Sequence, residues 1–472
     1  MKVNLNLAAY HLVNQLERHG FEAWIVGGAV RDTLLALPTL DWDFTTSAAP
    51  EEILPLFSES FYDNNFGTVM VAGKHLKQQF HLPDDAVDDE VIFDITTYRS
   101  EQGYSDRRRP DKVIWGTSIE EDLQRRDFTM NAIAAKVLNK NEWELFDPYR
   151  GRQDIESKLI RAVGDPKVRF EEDALRMLRA VRFAAQLGFQ IEDQTFKAIQ
   201  TKATNLRHIS WERIGDEFMK ILKTDHPADG ILLLVNSGLA TTVLPELLKA
   251  KEIPQGGHHI YDVFNHSIEA LRHCPSKDPI VRLATLLHDI AKPLTFNNQR
   301  GKITFYNHEV VGARVAKNIA KRFRLSKKDQ DLIFTLVRWH MFIYDRHMTD
   351  SAIRRFIRRV GKDNIHKMMM LRVGDRLGGG SKATSWRLNE FQKRIGEQLY
   401  EPLSLKDLKI NGRDIMEHFN LKPGPVIGKI LNQLFEEVLD NPDLNTKDQL
   451  LARAAQLLPT YSSHSEPGSD KK

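Results

Sequence analysis

Asp41 and Asp43 stand one residue apart in Asp41-Trp42-Asp43-Phe44-Thr45-Thr46, a short way downstream of Gly27-Gly28-Ala29-Val30-Arg31-Asp32. On an extended strand, residues i and i+2 point to one face, so both carboxylates aim at one point. Hard cations such as Mg²⁺ bind through one or two carboxylates together with substrate phosphates. Paired glycines let backbone N–H groups approach a phosphate closely, and a helix that follows turns its positive end toward it. The chemistry open to this set is metal-assisted phosphoryl or nucleotidyl transfer. Each piece alone is common in turns and loops; their order is what carries the reading.

Further residues extend the set. Asp94, in Val91-Ile92-Phe93-Asp94-Ile95, is placed to add a third carboxylate from a neighbouring strand; the structural alternative is a surface acid paired with Arg99. Ser105-Asp106-Arg107-Arg108-Arg109-Pro110 is a basic segment, either a phosphate contact or a solvated face. In Arg125-Arg126-Asp127-Phe128-Thr129-Met130-Asn131-Ala132, two arginines entering a helix suit triphosphate or sugar contacts. Asp127 there is an N-cap or a direct contact, and Asn131 is suited to a ribose or phosphate oxygen. Asp173, Arg176 and Arg179 recur at i, i+3 and i+6, on one face of a helix whose other face carries Leu175 and Leu178. Such a row is by default a salt-bridged stripe. Its sharper reading is a surrogate template, because aspartate accepts from an exocyclic amine while arginine donates to ring nitrogen or carbonyl acceptors.

The elements that must position these residues are legible in outline. Ala23–Val26 is a short apolar run fit for a buried strand, and Val30–Leu37 is helix-like. Thr68–Val71 and Val91–Ile95 read as strands, with an acidic loop at Asp84–Glu90 between them. From Pro148 the pattern turns helical, with Gly188 ending one helix, and continues to about Leu458; Tyr461–Lys472 is polar and expected to be disordered. The fold class is α+β: a mixed head followed by a long all-α remainder. At 472 residues the length suits about three domains, and the 41% hydrophobic content supports real cores. A net charge of +3 confines any nucleic-acid surface to local patches. A single cysteine, Cys274, excludes an intrachain disulfide and fits a cytoplasmic protein. The most apolar stretch, Ile231–Leu248, is broken by Asn236, Ser237 and Gly238 and reads as core helices, so no membrane partner is expected.

A second cluster lies in the helical region. His288-Asp289 follows the apolar run Ala284–Leu287, His266 lies upstream, and His308, His340 and Asp375 lie downstream. A lone histidine beside an apolar run is usually packed in a core. Six potential ligands in this order, mixing His with carboxylate, suit Mn, Fe, Co or Ni better than Mg²⁺.

Taken together, Gly-Gly-x-Val-Arg-Asp, Asp-x-Asp, Arg-Arg-Asp-Phe-Thr-x-Asn-Ala and Glu-Asp-x-x-Arg resemble the bacterial class II tRNA nucleotidyltransferase and poly(A) polymerase family from about Phe21 to Leu222. The resemblance implies a polymerase-β-like head with a small mixed sheet. It also implies Asp41, Asp43 and Asp94 as catalytic carboxylates on Mg²⁺, and Gly27, Gly28, Arg31, Arg125, Asp127, Asn131, Asp173, Arg176 and Arg179 as nucleotide-binding residues. Asn65-Phe66-Gly67-Thr68-Val69 resembles the CCA-adding members, and the segment from Arg99 to Val113 favours full CCA addition or A addition. Ser210-Trp211-Glu212-Arg213 resembles the last neck motif, and residues 410–428 resemble the body and tail of CCA-adding relatives. Two departures stand in the turn before the aspartate pair: Ala36 replaces the usual Gly, and Leu40 a usual basic residue. The series His266, His288, Asp289, His308, His340 and Asp375 resembles a binuclear HD-family phosphohydrolase site, which implies a transition metal (Mn, Ni, Co or Fe) or Mg²⁺ and hydrolysis of a phosphate monoester or cyclic phosphodiester.

The expected organisation is a catalytic head over 1–149, a helical neck over 150–225, a body with the HD domain over 226–376, an RNA-binding helical tail over 377–460 and a disordered 461–472. The expected function is template-independent CCA addition to tRNA from CTP and ATP, with no DNA partner and with a second hydrolytic activity. The alternatives are a poly(A) polymerase or partial adder, and a nucleotide-binding phosphohydrolase with a non-catalytic head. Arg354, Arg355, Arg358 and Arg359 fall at helical spacing and read either as a basic face for RNA or as a solvated face.

Overall fold

The computed structural model describes residues 5–39, 41–63, 67–102, 112–115, 118–256, 260–299 and 302–462, of which the side chains of 99–102, 112–115 and 462 are not characterised. The expectations placed on Leu40, on Asn65-Phe66 and on Ser105–Pro110 fall outside the described residues. The chain forms two compact units, residues 1–248 with 322–324, and residues 249–321 with 325–472.

The first unit contains nine strands that build the head: β1 (Ala23–Val26), β2 (Trp42–Thr46), β3 (Phe61–Asp63), β4 (Thr68–Ala72), β5 (Ile92–Thr97), β6 (Arg99–Gln102), β7 (Lys112–Trp115), β8 (Ala134–Asn139) and β9 (Glu142–Phe146). Seven of them form one sheet in the order β3-β4-β5-β2-β1-β8-β9, while β6 and β7 pair separately. Within the seven, β2 and β5 run parallel and the other pairs antiparallel. The mixed sheet with many helices bears out the α+β expectation. Alternation along β2 sorts its side chains. Trp42 and Phe44 stack with Phe93 of β5 on the core face, with centroids 6.3 and 6.1 Å from that ring. Asp43 therefore points to the opposite face.

The neck helices of this unit include Pro166–Glu172, Leu175–Leu187 and Trp211–Lys223. Leu175–Leu187 buries Met177, Leu178, Val181 and Phe183 and ends at Gly188, whose φ of 67° is the left-handed conformation that glycine takes without cost. The region expected to be purely helical contains two small two-stranded sheets, Leu159–Ile160 with Gln190–Ile191 and Asn297–Gln299 with Lys302–Thr304. These runs are too short for periodicity to reveal.

In the second unit, the helices Val263–Arg272 and Ile365–Gly378 pack closely because glycine lines the contact. A Cβ on Gly378 would lie 2.4 Å from Ala270 N, and one on Gly374 would lie 2.7 Å from Ala270 O. A separate apolar core gathers Ile415, Ile430, Leu434, Phe435, Val438 and Leu450 farther along the chain. The terminal helix Lys447–Ser462 takes in Tyr461 and Ser462, the first two residues of the segment expected to be disordered; 463–472 lie outside the described residues. No helix among the described residues is long and apolar enough to cross a membrane.

The arginine row on Asp350–Val360 divides: Arg354 and Arg355 are tied into the unit, while Arg358 and Arg359 stay exposed although each has a partner. Arg354 is buried and donates to the Leu439 and Asp440 carbonyls and to Gln398. Arg355 pairs with Asp440, Arg358 with Glu436, and Arg359 lies over Trp339. Helical spacing found the row, but it could not reveal the acids and backbone carbonyls that come from residues 78 or more positions away.

Candidate active site and metal cluster

The register of the sheet assembles the head site. Val26 at the end of β1 lies opposite Asp43, and Asp43 lies opposite Asp94 on β5. The chain leaves β1 through Gly27 at φ 71° and enters the helix Gly28–Leu34. A Cβ on Gly27 would stand 2.8 Å from Arg126 Nη1 and 3.0 Å from Asp43 Oδ2, so only glycine fits beside the carboxylate. Asp41 is exposed, one residue before β2. Burial raises the Asp43 pKa, and Asp41 adds to the rise while Arg126 opposes it. Burial, with Asp43 and Asp41 nearby, lifts Asp94 to about 6. Asp94 Oδ1 is buried with no hydrogen-bond partner. A concentration of carboxylates with an unsatisfied buried oxygen fits a hard divalent cation.

Four of the predicted nucleotide-binding residues, Arg31, Asn131, Asp127 and Arg179, form a linked network beside these acids. Arg31 Nη1 donates to Asn131 Oδ1 at 2.8 Å, and Asn131 Nδ2 donates to Asp127 Oδ1 at 3.0 Å. Arg179 Nε donates to Asp127 Oδ2 at 2.7 Å. Burial works to raise the Asp127 pKa, but Arg179 and Asn131 hold it down to about 2.

Two local expectations are corrected. Arg125 and Arg126 leave the helix Ile119–Gln124 instead of entering one; Asp127 accepts from Phe128 N and Asn131 Nδ2 and caps no α-helix. Asp173 stands in extended backbone between Pro166–Glu172 and Leu175–Leu187, so it does not share one helical face with Arg176 and Arg179. Its carboxylate accepts from Arg213 Nη2 at 2.7 Å, while Arg176 donates to Glu172 at 2.5 Å and to the Arg125 carbonyl at 2.9 Å.

In the second unit, His266, His288, Asp289, His308, His340 and Asp375 converge, with all but Asp375 among the buried residues. The two oxygens of Asp289 divide the cluster. Oδ2 lies 3.5 and 3.2 Å from Nε2 of His266 and His288; Oδ1 lies 3.3 and 3.7 Å from Nε2 of His308 and His340. Asp375 Oδ1 is 3.2 Å from His266 Nε2. Nδ1 of His288, His308 and His340 faces the carbonyls of Thr285, Phe305 and Val337 at 2.7, 2.8 and 2.8 Å, which turns each Nε2 inward as a ligand. Nε2 of His308 and of His340 is buried without a hydrogen-bond partner. Burial opposes charge on His288, yet Asp289 and Asp375 lift it to about 10; those two carboxyls are held well below their usual range by the same contacts. The donor set of imidazoles and carboxylates fits a transition metal. A cavity of about 590 Å³ opens on it, lined among others by Tyr306, Met341, Arg372 and Arg376.

Over 453 residues the chain is 32% identical to the CCA-adding enzyme of Ligilactobacillus salivarius, covering 95% of this chain and 96% of that protein. This chain belongs to the CCA-adding enzyme family. It is also 43% identical over 245 residues to the CCA-adding enzyme of Geobacillus thermodenitrificans, covering 52% of this chain and 56% of that protein. The solved structure of the Bacillus stearothermophilus CCA-adding enzyme in complex with CTP superposes with a TM-score of 0.69 at 25% identity, covering 97% and 98% of the two chains. The family described as Poly A polymerase head domain matches residues 23–161, "Probable RNA and SrmB- binding site of polymerase A" matches 188–251, and tRNA nucleotidyltransferase domain 2 matches 302–454. As a CCA-adding family member with this nucleotidyltransferase fold, the chain is an enzyme that requires a divalent metal.

The sequence named Arg126 only as one of a pair suited to triphosphate or sugar contacts, and assigned Asp122 and Lys292 no role. Arg126 stands against Gly27 and Asp43 and is held by Asp122, a fully buried acid that also binds Arg125 at 2.6 Å. The Arg-Arg pair was visible, but only the sheet decides which arginine meets the carboxylate. Lys292, buried and 2.6 Å from Asp289 Oδ2, follows the His-Asp pair by one helical turn, a spacing that was open to sequence reading.

Proposed function

We propose that this chain adds C, C and A in turn to the 3′ end of tRNA, from CTP and ATP and without a nucleic-acid template. The observation that carries this reading is the convergence of Asp41, Asp43 and Asp94 beside the side-chain-free turn at Gly27, with Arg126 against it. Asp41 and Asp43, joined by Asp94, would hold divalent ions. Such ions, when bound, acidify the RNA 3′-hydroxyl and neutralise the triphosphate and the leaving pyrophosphate. Gly27 and Gly28 admit the phosphates to the backbone, and Arg126, Arg31 and Arg179 supply fixed positive charge. Asp173 and Arg176 read the base edge, with Arg213 and Glu172 orienting them. The head (1–149) carries the chemistry, the neck (150–225) the selection of nucleotide, and the helical tail (377–460) contacts tRNA. Cys274, buried and reduced, suits activity in the cytoplasm. The test is addition to tRNA lacking its 3′ end, with CTP and ATP given separately and together. CTP alone is expected to give two additions and both to give three; indefinite growth on ATP would overturn the reading in favour of a poly(A) polymerase. Asp41→Ala is expected to abolish incorporation without loss of fold, and normal incorporation would refute the assignment.

A second activity is favoured by the six-residue cluster and its two inward imidazole nitrogens without partners. We propose that the body (226–376) is an HD-type phosphohydrolase acting on a phosphate monoester or cyclic phosphodiester. His266, His288, Asp289 and Asp375 would hold one transition-metal ion, and Asp289, His308 and His340 a second. Metal there supplies an activated water and polarises the phosphoryl group. Titration of metal-stripped protein carrying Asp41→Ala and Asp43→Ala, which disable the head site, with Mn²⁺ or Ni²⁺ is expected to give two ions per chain, falling to one when His308→Ala is added. Absence of binding sinks this activity and leaves CCA addition untouched.

A further inference from the structure

Phe183 lies on the Leu175–Leu187 helix and is 3% exposed. Phe128 meets it edge-on, with ring centroids 5.8 Å apart. Three guanidiniums surround the same ring: Cζ of Arg182, Arg31 and Arg179 stand 4.1, 5.1 and 5.4 Å from its centroid. Cations gathered this closely repel one another. The negative face of an aromatic ring offsets that repulsion, whereas an aliphatic side chain of similar size does not.

Each arginine has a further partner. Arg31 donates to Asn131 and Asp32, Arg179 to Asp127, and Arg182 to Glu217 at 2.8 Å. The Asn131–Asp127 hydrogen bond joins the first two partners. The ring therefore sits where the residues after the glycine turn meet the neck helix, and it touches two of the three arginines assigned to the triphosphate, Arg31 and Arg179, from opposite ends of one network.

We propose that Phe183 is a positioning residue for nucleotide binding, its π face holding Arg31 and Arg179 in the arrangement that receives the incoming nucleoside triphosphate. The proposal rests on the reading of those two arginines as nucleotide contacts. The ring does not touch substrate; it acts through the guanidiniums.

Fluorinated phenylalanines at position 183 test this in the full chain, because they keep the shape of the ring while draining charge from its face. CTP and ATP affinities are measured by calorimetry across the mono-, tri- and pentafluoro series, alongside CCA addition and thermal midpoints. Kd is expected to rise stepwise with fluorination, to about tenfold for the pentafluoro ring, with KM following, kcat nearly constant and the midpoint unmoved. Phe183→Tyr is expected to retain affinity and Phe183→Leu to lose it. A Kd that is flat across the series, or that follows the thermal midpoint instead of the fluorine count, overturns the proposal. Wild-type protein that binds CTP but adds nothing to tRNA would overturn the proposed function, and the Kd series would still decide the role of the ring.

Discussion

At Gly27 the φ of 71° already disfavours any other residue, and a methyl group would stand 2.8 Å from the end of the Arg126 side chain and press on Asp43 Oδ2 at 3.0 Å. Gly27→Ala is therefore expected to displace the carboxylate by a fraction of an ångström or more and to lower kcat/KM for CTP about 100-fold, a loss measured by single-nucleotide incorporation. Ala36 presents the opposite case. It adopts φ 54°, so it bears the left-handed strain that glycine avoids. Ala36→Gly is expected to stabilise the protein by about 1 kcal/mol, read from the urea midpoint at unchanged slope. An unchanged midpoint would show that neighbouring packing, not backbone strain, sets the cost.

Between elements, ion pairs do what local pattern does not announce. Asp127 ties the segment after Ile119–Gln124 to the neck helix through Arg179, and its pKa of about 2 lies below the ordinary carboxylate value. A depressed acid contributes stability that is complete above its unfolded pKa and disappears as pH falls through the folded one. Stability is thus expected to drop by about 2 kcal/mol between about pH 4 and pH 2, and this part of the drop should vanish in Asp127→Asn, as measured by acid titration of the denaturant midpoint. Arg354 acts likewise within the second unit, where it satisfies two backbone carbonyls and Gln398. Arg354→Met is expected to cost about 3 kcal/mol of stability while leaving the salt dependence of tRNA binding unaltered. A shallower salt slope in that variant would restore the basic-face reading.

Over the whole molecule, two clusters of candidate metal ligands of different chemistry occur in two compact units. Carboxylates alone gather in the head, and imidazoles with carboxylates gather in the body, so metal removal should separate the activities. After EDTA treatment, Mg²⁺ alone is expected to restore CCA addition, while hydrolysis is expected to return with Mn²⁺, Co²⁺ or Ni²⁺ in preference. Restoration of both by one ion at equal concentration would contradict the division. The net charge of +3 leaves RNA affinity to local patches.

Sequence alone determined the strand that carries Asp43, with Asp41 one residue before it, the glycine turn upstream, the helix end at Gly188 and the His/Asp series of the body. The first three rest on neighbours in the chain, where backbone period and φ preference act directly, whereas the series of the body rests on residue types in order and on family resemblance. Tertiary structure alone decided that Arg126 faces Asp43, that Asp173 turns to Arg213 forty residues on, and that Arg354 is buried. A charged side chain takes its partner from whatever chain closure brings within reach, and spacing along one helix does not encode that distant partner.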